Sequence, residues 1–139
     1  MGTAIQLNVP IANVPGTLAQ LSDKLRAAEV NINAICFTDR QDSNTVHLIV
    51  DDPETAKLTL QPHYKVTATD VLAFKMKNEP GAISAIARAC AAAGINIRNM
   101  YATTFGKEAT VYVVVDEVQK AQELLKTWEK NFGKLLANK

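Results

Sequence analysis

One pattern of residues occurs twice in this chain, at a constant distance of 65 positions. The clearest pairs are Asn13 and Asn78, Asn31 and Asn96, Thr45 and Thr110, and Val50 and Val115. In both copies the first asparagine opens the motif Asn-x-Pro-Gly, and the second is followed by isoleucine. Because the distance does not drift, the sequence predicts two copies of one supersecondary unit joined without insertions. We place the domains at residues 1–69 and 70–139.

The composition is that of a globular protein without a strong charge. Apolar residues make up 47% and charged residues 21% of the 139 positions, and the formal net charge is +1. This balance offers no electrostatic surface for nucleic acid or an anionic membrane, and no apolar run is long enough to span a bilayer. We expect a cytoplasmic protein, because no signal peptide is visible and Cys36 and Cys90 lack the spacing of a disulfide framework or metal site.

Each copy begins with alternating apolar and polar residues, which are typical of a half-buried strand. The apolar positions of these strands are Ile5, Leu7 and Val9 in the first copy and Leu72, Phe74 and Met76 in the second. A helix follows each Pro-Gly turn, and its apolar stripe is predicted at Leu18, Leu21, Leu25 and Ala28 and at Ile83, Ile86, Cys90 and Ala93. Gly94 is a C-terminal stop for the second of these helices, whereas Glu29 at the matching place predicts a different ending for the first.

The remainder of each copy is predicted to be a hairpin, a second helix and a final strand. Asp52-Pro53 is a typical helix start, with an N-cap and a proline at the first helical position, and Asp116 is expected to open the corresponding helix. Final strands are expected at residues 65–69 and 134–137. The predicted fold is therefore α+β, with two ferredoxin-like βαββαβ repeats, antiparallel sheets and helices on one face.

Residues 13–18 and 78–83, each followed by a helix and then Asn-Ile, resemble the ACT domain. The resemblance covers essentially the whole chain, as a stand-alone tandem pair. It implies a regulatory module that binds an amino acid or related small metabolite, held between ACT modules at the β1–α1 Pro-Gly loops. Such modules are usually fused to enzymes of amino-acid metabolism, and no catalytic domain is recognised in this sequence. We therefore expect no enzymatic activity, no cofactor and no metal.

The chemistry of the loops suits such a ligand. Main-chain N–H groups at a helix start favour a carboxylate, glycine permits close approach, and asparagine amides both donate and accept. The predicted ligand-binding residues are Asn13, Val14, Pro15, Gly16, Thr17, Asn31, Ile32, Asn33, Asn78, Glu79, Pro80, Gly81, Ala82, Asn96, Ile97 and Asn99. The structural alternative is that these residues only form turns and end strands, as asparagine often does. Glu79, at the place of Val14, either favours a cationic ligand or is a solvated turn residue.

Other uses of this topology have weaker support in the sequence. His47 and His63 do not recur in the second copy, so a catalytic role for either is disfavoured. No arginine lies in the first loop of either copy to hold a phosphate, and RNA binding would require exposed aromatic residues and a basic surface.

The non-catalytic alternative is a pure interaction module that dimerises or docks on a metabolic enzyme. We expect an apolar open sheet face that includes Ile49, Val71, Ala73 and Val114, and such a face is typical of assembly. A homodimer is the predicted oligomeric state.

Overall fold

The structure, a computed structural model, describes residues 2–40 and 43–123. Its strands are β1 (Gly2–Pro10), β2 (Ile32–Arg40), β3 (Ser43–Val50), β4 (Thr67–Lys77), β5 (Ile97–Phe105) and β6 (Glu108–Val115). Its helices are α1 (Thr17–Ala27), α2 (Pro53–Leu60) and α3 (Ala82–Ala92), and residues 118–123 are also helical. These elements confirm the α+β fold with tandem ferredoxin-like repeats. None of the described helices is long and apolar enough to cross a membrane.

Residues Ile5–Thr69 form one compact unit. In it β3 lies between β2 and β1 and pairs antiparallel with both. Asn8 donates from Nδ2 to the hydroxyls of Thr67 and Thr69, at 3.2 and 2.9 Å, which places the first residues of β4 beside β1. The predicted final strand at residues 65–69 is thus the beginning of a longer strand.

The core of this unit is built from α1, α2 and one face of the strands. Its buried residues are Leu7, Val9, Leu21, Leu25, Val30, Val46, Leu48, Val50, Ala56 and Leu60. The helix stripe predicted for α1 is confirmed at Leu21 and Leu25, but Leu18 in the first turn is exposed. The predicted helix start is also confirmed, because the Asp52 carboxylate accepts hydrogen bonds from the main chain and hydroxyl of Thr55.

The second compact unit comprises the described residues of Asp70–Lys139 together with those of Met1–Ala4. Here β6 lies between β4 and β5 and pairs antiparallel with both. Its core includes the predicted apolar positions Leu72, Phe74 and Met76 of β4 and Ile86 and Cys90 of α3. Asp116, predicted to open the last helix, instead accepts a hydrogen bond from the main chain of Asn96 at 3.1 Å. The predicted strand at 134–137 lies outside the described residues.

The predicted apolar open face is wrong at two positions. Ile49 and Val71 are buried, whereas Ala73 and Val114 are half-buried. The register places Ile49 beside Ala34, which is buried to the same degree. The homodimer, which was predicted partly from that face, therefore stays a prediction.

The ends of α1 and α3 are more alike than the sequence indicated. Glu29 adopts the left-handed conformation, with φ 58°, that Gly94 adopts with φ 69° in the second copy. In the first copy Glu29 N–H bonds Arg26 O, and Val30 N–H bonds Leu25 O at 2.9 Å. The predicted difference in helix ending is wrong, because the packing of Val30 into the core imposes the same chain reversal on a residue with a side chain.

Glu29→Gly is therefore expected to raise the free energy of unfolding by about 0.5 kcal/mol. Relief of left-handed strain, about 1–2 kcal/mol, exceeds the added flexibility of the unfolded chain, about 0.4–1 kcal/mol. The matched control is Gly94→Ala, which should destabilise by about 1 kcal/mol through strain alone, since a Cβ there lies at an ordinary 3.7 Å from Lys120 Nζ. Urea unfolding of both variants measures the difference. A Glu29→Gly variant less stable than the parent would contradict the assignment.

Candidate functional site

Both Pro-Gly turns have the same backbone conformation. Gly16 and Gly81 immediately precede α1 and α3 with φ of 95° and 93°, in the left-handed region that favours glycine. No atom outside the adjoining residues lies within 4 Å of a Cβ added at either position, so glycine is required by the backbone angle and not by crowding. The repeated motif thus produces the same helix start twice.

Each helix start leaves main-chain donors available. Thr17 N–H bonds Val14 O at 3.3 Å, and Gln20 N–H bonds Gly16 O at 3.0 Å. Between them, the N–H groups of Leu18 and Ala19 have no acceptor among the described residues, and no side chain caps the helix. These donors, together with the positive end of the helix dipole, suit an anionic group such as a carboxylate.

A half-open hollow of about 390 Å³ lies at the first Pro-Gly turn. It is lined by residues 13–17, which contain five of the predicted ligand-binding residues, and by Ile11, Leu18 and Phe37. Its size lies at the lower end of the range of small-molecule sites, about 300–1,000 Å³. The lining is mostly apolar and contains no charged side chain. The structure therefore brings the first predicted loop together with an apolar wall.

The loop around the first hollow is held by Thr17. Its hydroxyl donates to the carbonyls of Ala12 and Val14, at 2.6 and 3.0 Å. Thr17 is therefore occupied in shaping the loop. By contrast, the Asn13 amide makes no hydrogen bond with any residue that the structure describes, and Asn13 lines the hollow.

The second loop is held differently. Asn78 donates from Nδ2 to Gly106 O at 3.2 Å, in the turn between β5 and β6. Ala82, at the place of Thr17, is buried and has no hydroxyl. Glu79 and Pro80 are exposed. The predicted residues of this loop thus share a backbone with the first loop but make different contacts.

The predicted asparagines at the starts of β2 and β5 lie at the other ends of α1 and α3 within their repeats. Asn31 N–H bonds Asp51 Oδ1 at 3.0 Å, and the corresponding Asn96 N–H bonds Asp116 Oδ1 at 3.1 Å. This repeated contact joins the start of one strand to the end of its neighbour. Within a repeat, these residues and the Pro-Gly loop do not form one site.

The first of these strand starts borders a separate hollow of about 550 Å³. Asn31 and Ile32 line it together with Asp23, Arg26 and Glu29. Asp23 and Arg26 form an exposed ion pair at 3.6 Å, and such a pair is hydrated and weak. This second hollow is lined by charged side chains, but it does not contain the main-chain N–H donors found at the first Pro-Gly turn.

Two of the remaining predicted residues, Asn33 and Asn99, make hydrogen bonds to nearby residues in the sequence. Asn33 accepts a hydrogen bond from Asn31 Nδ2 at 3.1 Å. Asn99 Oδ1 accepts from the N–H of Met100 at a register shift between β5 and β6, which also involves Ile97. A role of these residues in binding a ligand stays a prediction.

Three lining residues of the first hollow were not predicted as site residues. Ile11 and Leu18 flank the predicted segment, and Leu18 was assigned to the buried stripe. Leu18 and Ile83 at the matching place are 42% and 44% exposed, so an apolar residue in the first turn of both helices was the available signal. Phe37 lies on β2, far from the loop in sequence, and nothing in the sequence pattern links the two.

His47 belongs to a polar network on the sheet. Its Nδ1 lies 2.9 Å from Asn8 Oδ1 and 3.3 Å from Gln6 Nε2, and Gln6 is itself buried. Burial, and then the charge of Arg40, lower the pKa of His47 below its ordinary 6.5. Among the described residues, no three His, Cys, Asp or Glu side chains lie together as a metal site would require.

The lowered pKa of His47 predicts a loss of stability in mild acid. Because the unfolded state binds the proton more readily, the free energy of unfolding should fall as the pH drops through 6.5 towards the folded-state pKa, and then change no further on this account. Urea midpoints at pH 7.5 and pH 5.5, at fixed salt, measure this fall. His47→Gln should show a smaller fall, and an equal fall in both proteins would assign the effect to other groups.

The fold and the two helix starts define a class, namely tandem α+β modules with a Pro-Gly turn before the first helix of each. The chain belongs to the ACT domain family, since the family described as "ACT domain pair" matches residues 2–135. No match was found among curated proteins.

Solved structures resemble the chain over nearly its whole length. Protein BT0572 from Bacteroides thetaiotaomicron is 28% identical, with a TM-score of 0.84, covering 96% of this chain and 90% of that one. The regulatory subunit of aspartate kinase from Thermus thermophilus, in its ligand-free form, is 16% identical, with a TM-score of 0.65 and coverage of 92% and 97%. The aspartokinase alpha and beta subunits are 18% identical, with a TM-score of 0.61 and coverage of 96% and 98%. At the lower identities the likeness concerns the fold.

Proposed function

We propose that this protein is a non-catalytic regulator that binds a free amino acid or a related small metabolite at its Pro-Gly loops. The observation that carries the proposal is the hollow at the first turn, where unpaired main-chain donors adjoin an apolar wall. A zwitterionic metabolite with a side chain matches both features. Neither a metal nor a cofactor enters the proposal, and a cytoplasmic location is part of it.

The family supports this proposal because ACT domains are regulatory modules. Among the structural relatives is a regulatory subunit of aspartate kinase, which is named for its role beside a catalytic partner. By analogy, the output of ligand binding here is a changed affinity for a metabolic enzyme. A ligand can only cause such a change if it binds the two states of the protein with different affinity.

A screen of the twenty amino acids by thermal unfolding tests the proposal. A ligand present at 100 times its Kd adds about 2.7 kcal/mol of apparent stability, which is a large rise in Tm for repeats of this size. D-amino acids at the same concentration control for nonspecific effects of solute and salt. If none of the twenty shifts Tm at millimolar concentration, amino-acid binding is rejected.

A second candidate function, a pure interaction module, is favoured by the edge of the first unit. Ile35, on β2 at the end of the strand order, is 46% exposed, and Phe37 on the same strand is also exposed. An edge strand with exposed apolar residues is suited to pairing with another chain. Analytical ultracentrifugation of the parent and of Ile35→Lys tests the predicted homodimer. A dimer that Ile35→Lys dissociates, with no response to amino acids, would favour this function.

A further inference from the structure

The two Pro-Gly loops share a backbone, but the residues around them have diverged. We infer that only the first loop is a ligand site, and that its ligand is an α-carboxylate with an uncharged, apolar side chain. This inference rests on the proposed function and specifies which loop acts and which amino acids it accepts.

The walls of the first hollow determine the class of side chain. Val14, Leu18 and Phe37 are apolar side chains that the protein leaves exposed, and none of the lining residues is charged. An apolar ligand side chain that covers them removes apolar surface of both partners from water. A charged side chain would lose hydration there without gaining a counter-charge, which is unfavourable. The hollow therefore selects against lysine, arginine, aspartate and glutamate.

The polar groups at the hollow match the other half of an amino acid. The free N–H groups of Leu18 and Ala19 at the start of α1 suit the carboxylate. The Asn13 amide also lines the hollow and makes no hydrogen bond with any described residue. Its amide oxygen can accept a hydrogen bond from the ligand's ammonium group.

The second loop has the same free N–H groups at its helix start, on Ile83 and Ser84, but it lacks the side chains of the first hollow. Glu79 stands at the place of Val14 and brings a carboxylate to the same helix start, where it competes with an anionic ligand. Ala102 stands at the place of Phe37, so the aromatic wall is missing. Asn78 is already bonded to Gly106 O, whereas the Asn13 amide makes no described bond. Each substitution acts against binding an apolar α-carboxylate.

Isothermal titration of the full chain with leucine, phenylalanine, lysine and glutamate tests the inference. We expect leucine or phenylalanine to bind with one ligand per chain and at least tenfold more tightly than lysine or glutamate. For the tighter of the two apolar ligands, the analogue without the amine (4-methylpentanoate or 3-phenylpropanoate) should bind at least tenfold more weakly, because it cannot donate a hydrogen bond to the Asn13 amide oxygen.

A matched pair of variants locates the site. Leu18→Glu and Ile83→Glu make the same change at corresponding, equally exposed positions in the first turns of α1 and α3. A carboxylate there is compatible with the helix dipole, so both proteins should fold, as circular dichroism and an unchanged Tm would confirm. Leu18→Glu should abolish the heat of binding, whereas Ile83→Glu should retain the parent Kd within about twofold.

The outcomes separate this inference from the proposed function. Two ligands per chain, loss of binding in Ile83→Glu, retained binding in Leu18→Glu, or tighter binding of lysine or glutamate would each overturn the inference while amino-acid binding itself stood. An amine-free analogue that binds as tightly as its parent would overturn the role given to Asn13. If none of the twenty amino acids produces a heat or a Tm shift, both the inference and the proposed function fall.

Discussion

Replacing Phe74 with alanine is expected to lower the free energy of unfolding by about 3–5 kcal/mol. Phe74 lies on β4 with none of its surface exposed, in the cluster that joins β4, β6 and α3. Removal of the ring forfeits the burial of its apolar surface and leaves a cavity that surrounding strands close only partly. Because a domain of this size is stable by only about 5–15 kcal/mol, the loss would be a large part of the total.

The matched control for Phe74→Ala is Phe105→Ala. Phe105 lies at the end of β5 and is 89% exposed, so the same chemical change there should alter stability by less than about 0.5 kcal/mol. Urea unfolding followed by far-ultraviolet circular dichroism measures both. Similar losses in the two variants would show that the strand register around Phe74 is misassigned. Retained cooperativity with a lower midpoint is the expected form of the Phe74→Ala transition.

Most of the fold was predictable because the repeat supplied every element twice. The alternation in Leu72, Phe74 and Met76 and the stripe in Ile86 and Cys90 predict a buried face, and all five residues are in the core. The helix cap at Asp52 and the glycine turns depend only on neighbouring residues in the sequence, so they can be predicted without knowledge of the tertiary structure. Burial patterns and capping are the properties that short-range sequence determines best.

The errors occur where tertiary context overrides a local preference. Glu29 adopts a glycine-like conformation because the following Val30 packs in the core. A conformational propensity describes only the residue itself and does not include this packing. Asp116 was expected to begin a helix, but the helix begins at residue 118, and the Asp116 carboxylate instead accepts a hydrogen bond from the N–H of Asn96. Leu18 fits the helical stripe, yet in the first turn of α1 it remains 42% exposed.

The candidate site was predictable in part for the same reason. Residues 13–17 follow from the turn and glycine chemistry, and they line the hollow together. Phe37 could not be predicted in this way, because its position is set by the register of β2 against β3 and not by the sequence near the loop. The side chains proposed to select the ligand are thus residues that differ between the two copies, such as Phe37, which corresponds to Ala102 in the second copy.

Gly16→Val is expected to abolish the ligand-induced rise in stability without unfolding the protein. Valine is strained at φ 95°, at a cost of about 1–3 kcal/mol, and relief of that strain moves the peptide groups that present the N–H donors of Leu18 and Ala19. With the donors displaced, the amino acid that gives the largest shift in the parent should give none. In the parent, that shift corresponds to about 2.7 kcal/mol at 100 times Kd.

The control for Gly16→Val must carry the same strain away from the helix start. Gly106, in the turn between β5 and β6, has φ 60°, and a Cβ added there likewise meets no atom within 4 Å outside the adjoining residues, so Gly106→Val introduces strain away from the first loop. We expect Gly106→Val to lower the ligand-free Tm by a similar amount but to keep the full ligand response. Thermal unfolding with and without ligand, on the parent and both variants, gives the comparison. Strain lowers Tm in both variants, but only Gly16→Val displaces the donors. If the ligand still raises the Tm of Gly16→Val, the main-chain donors are not part of the binding site.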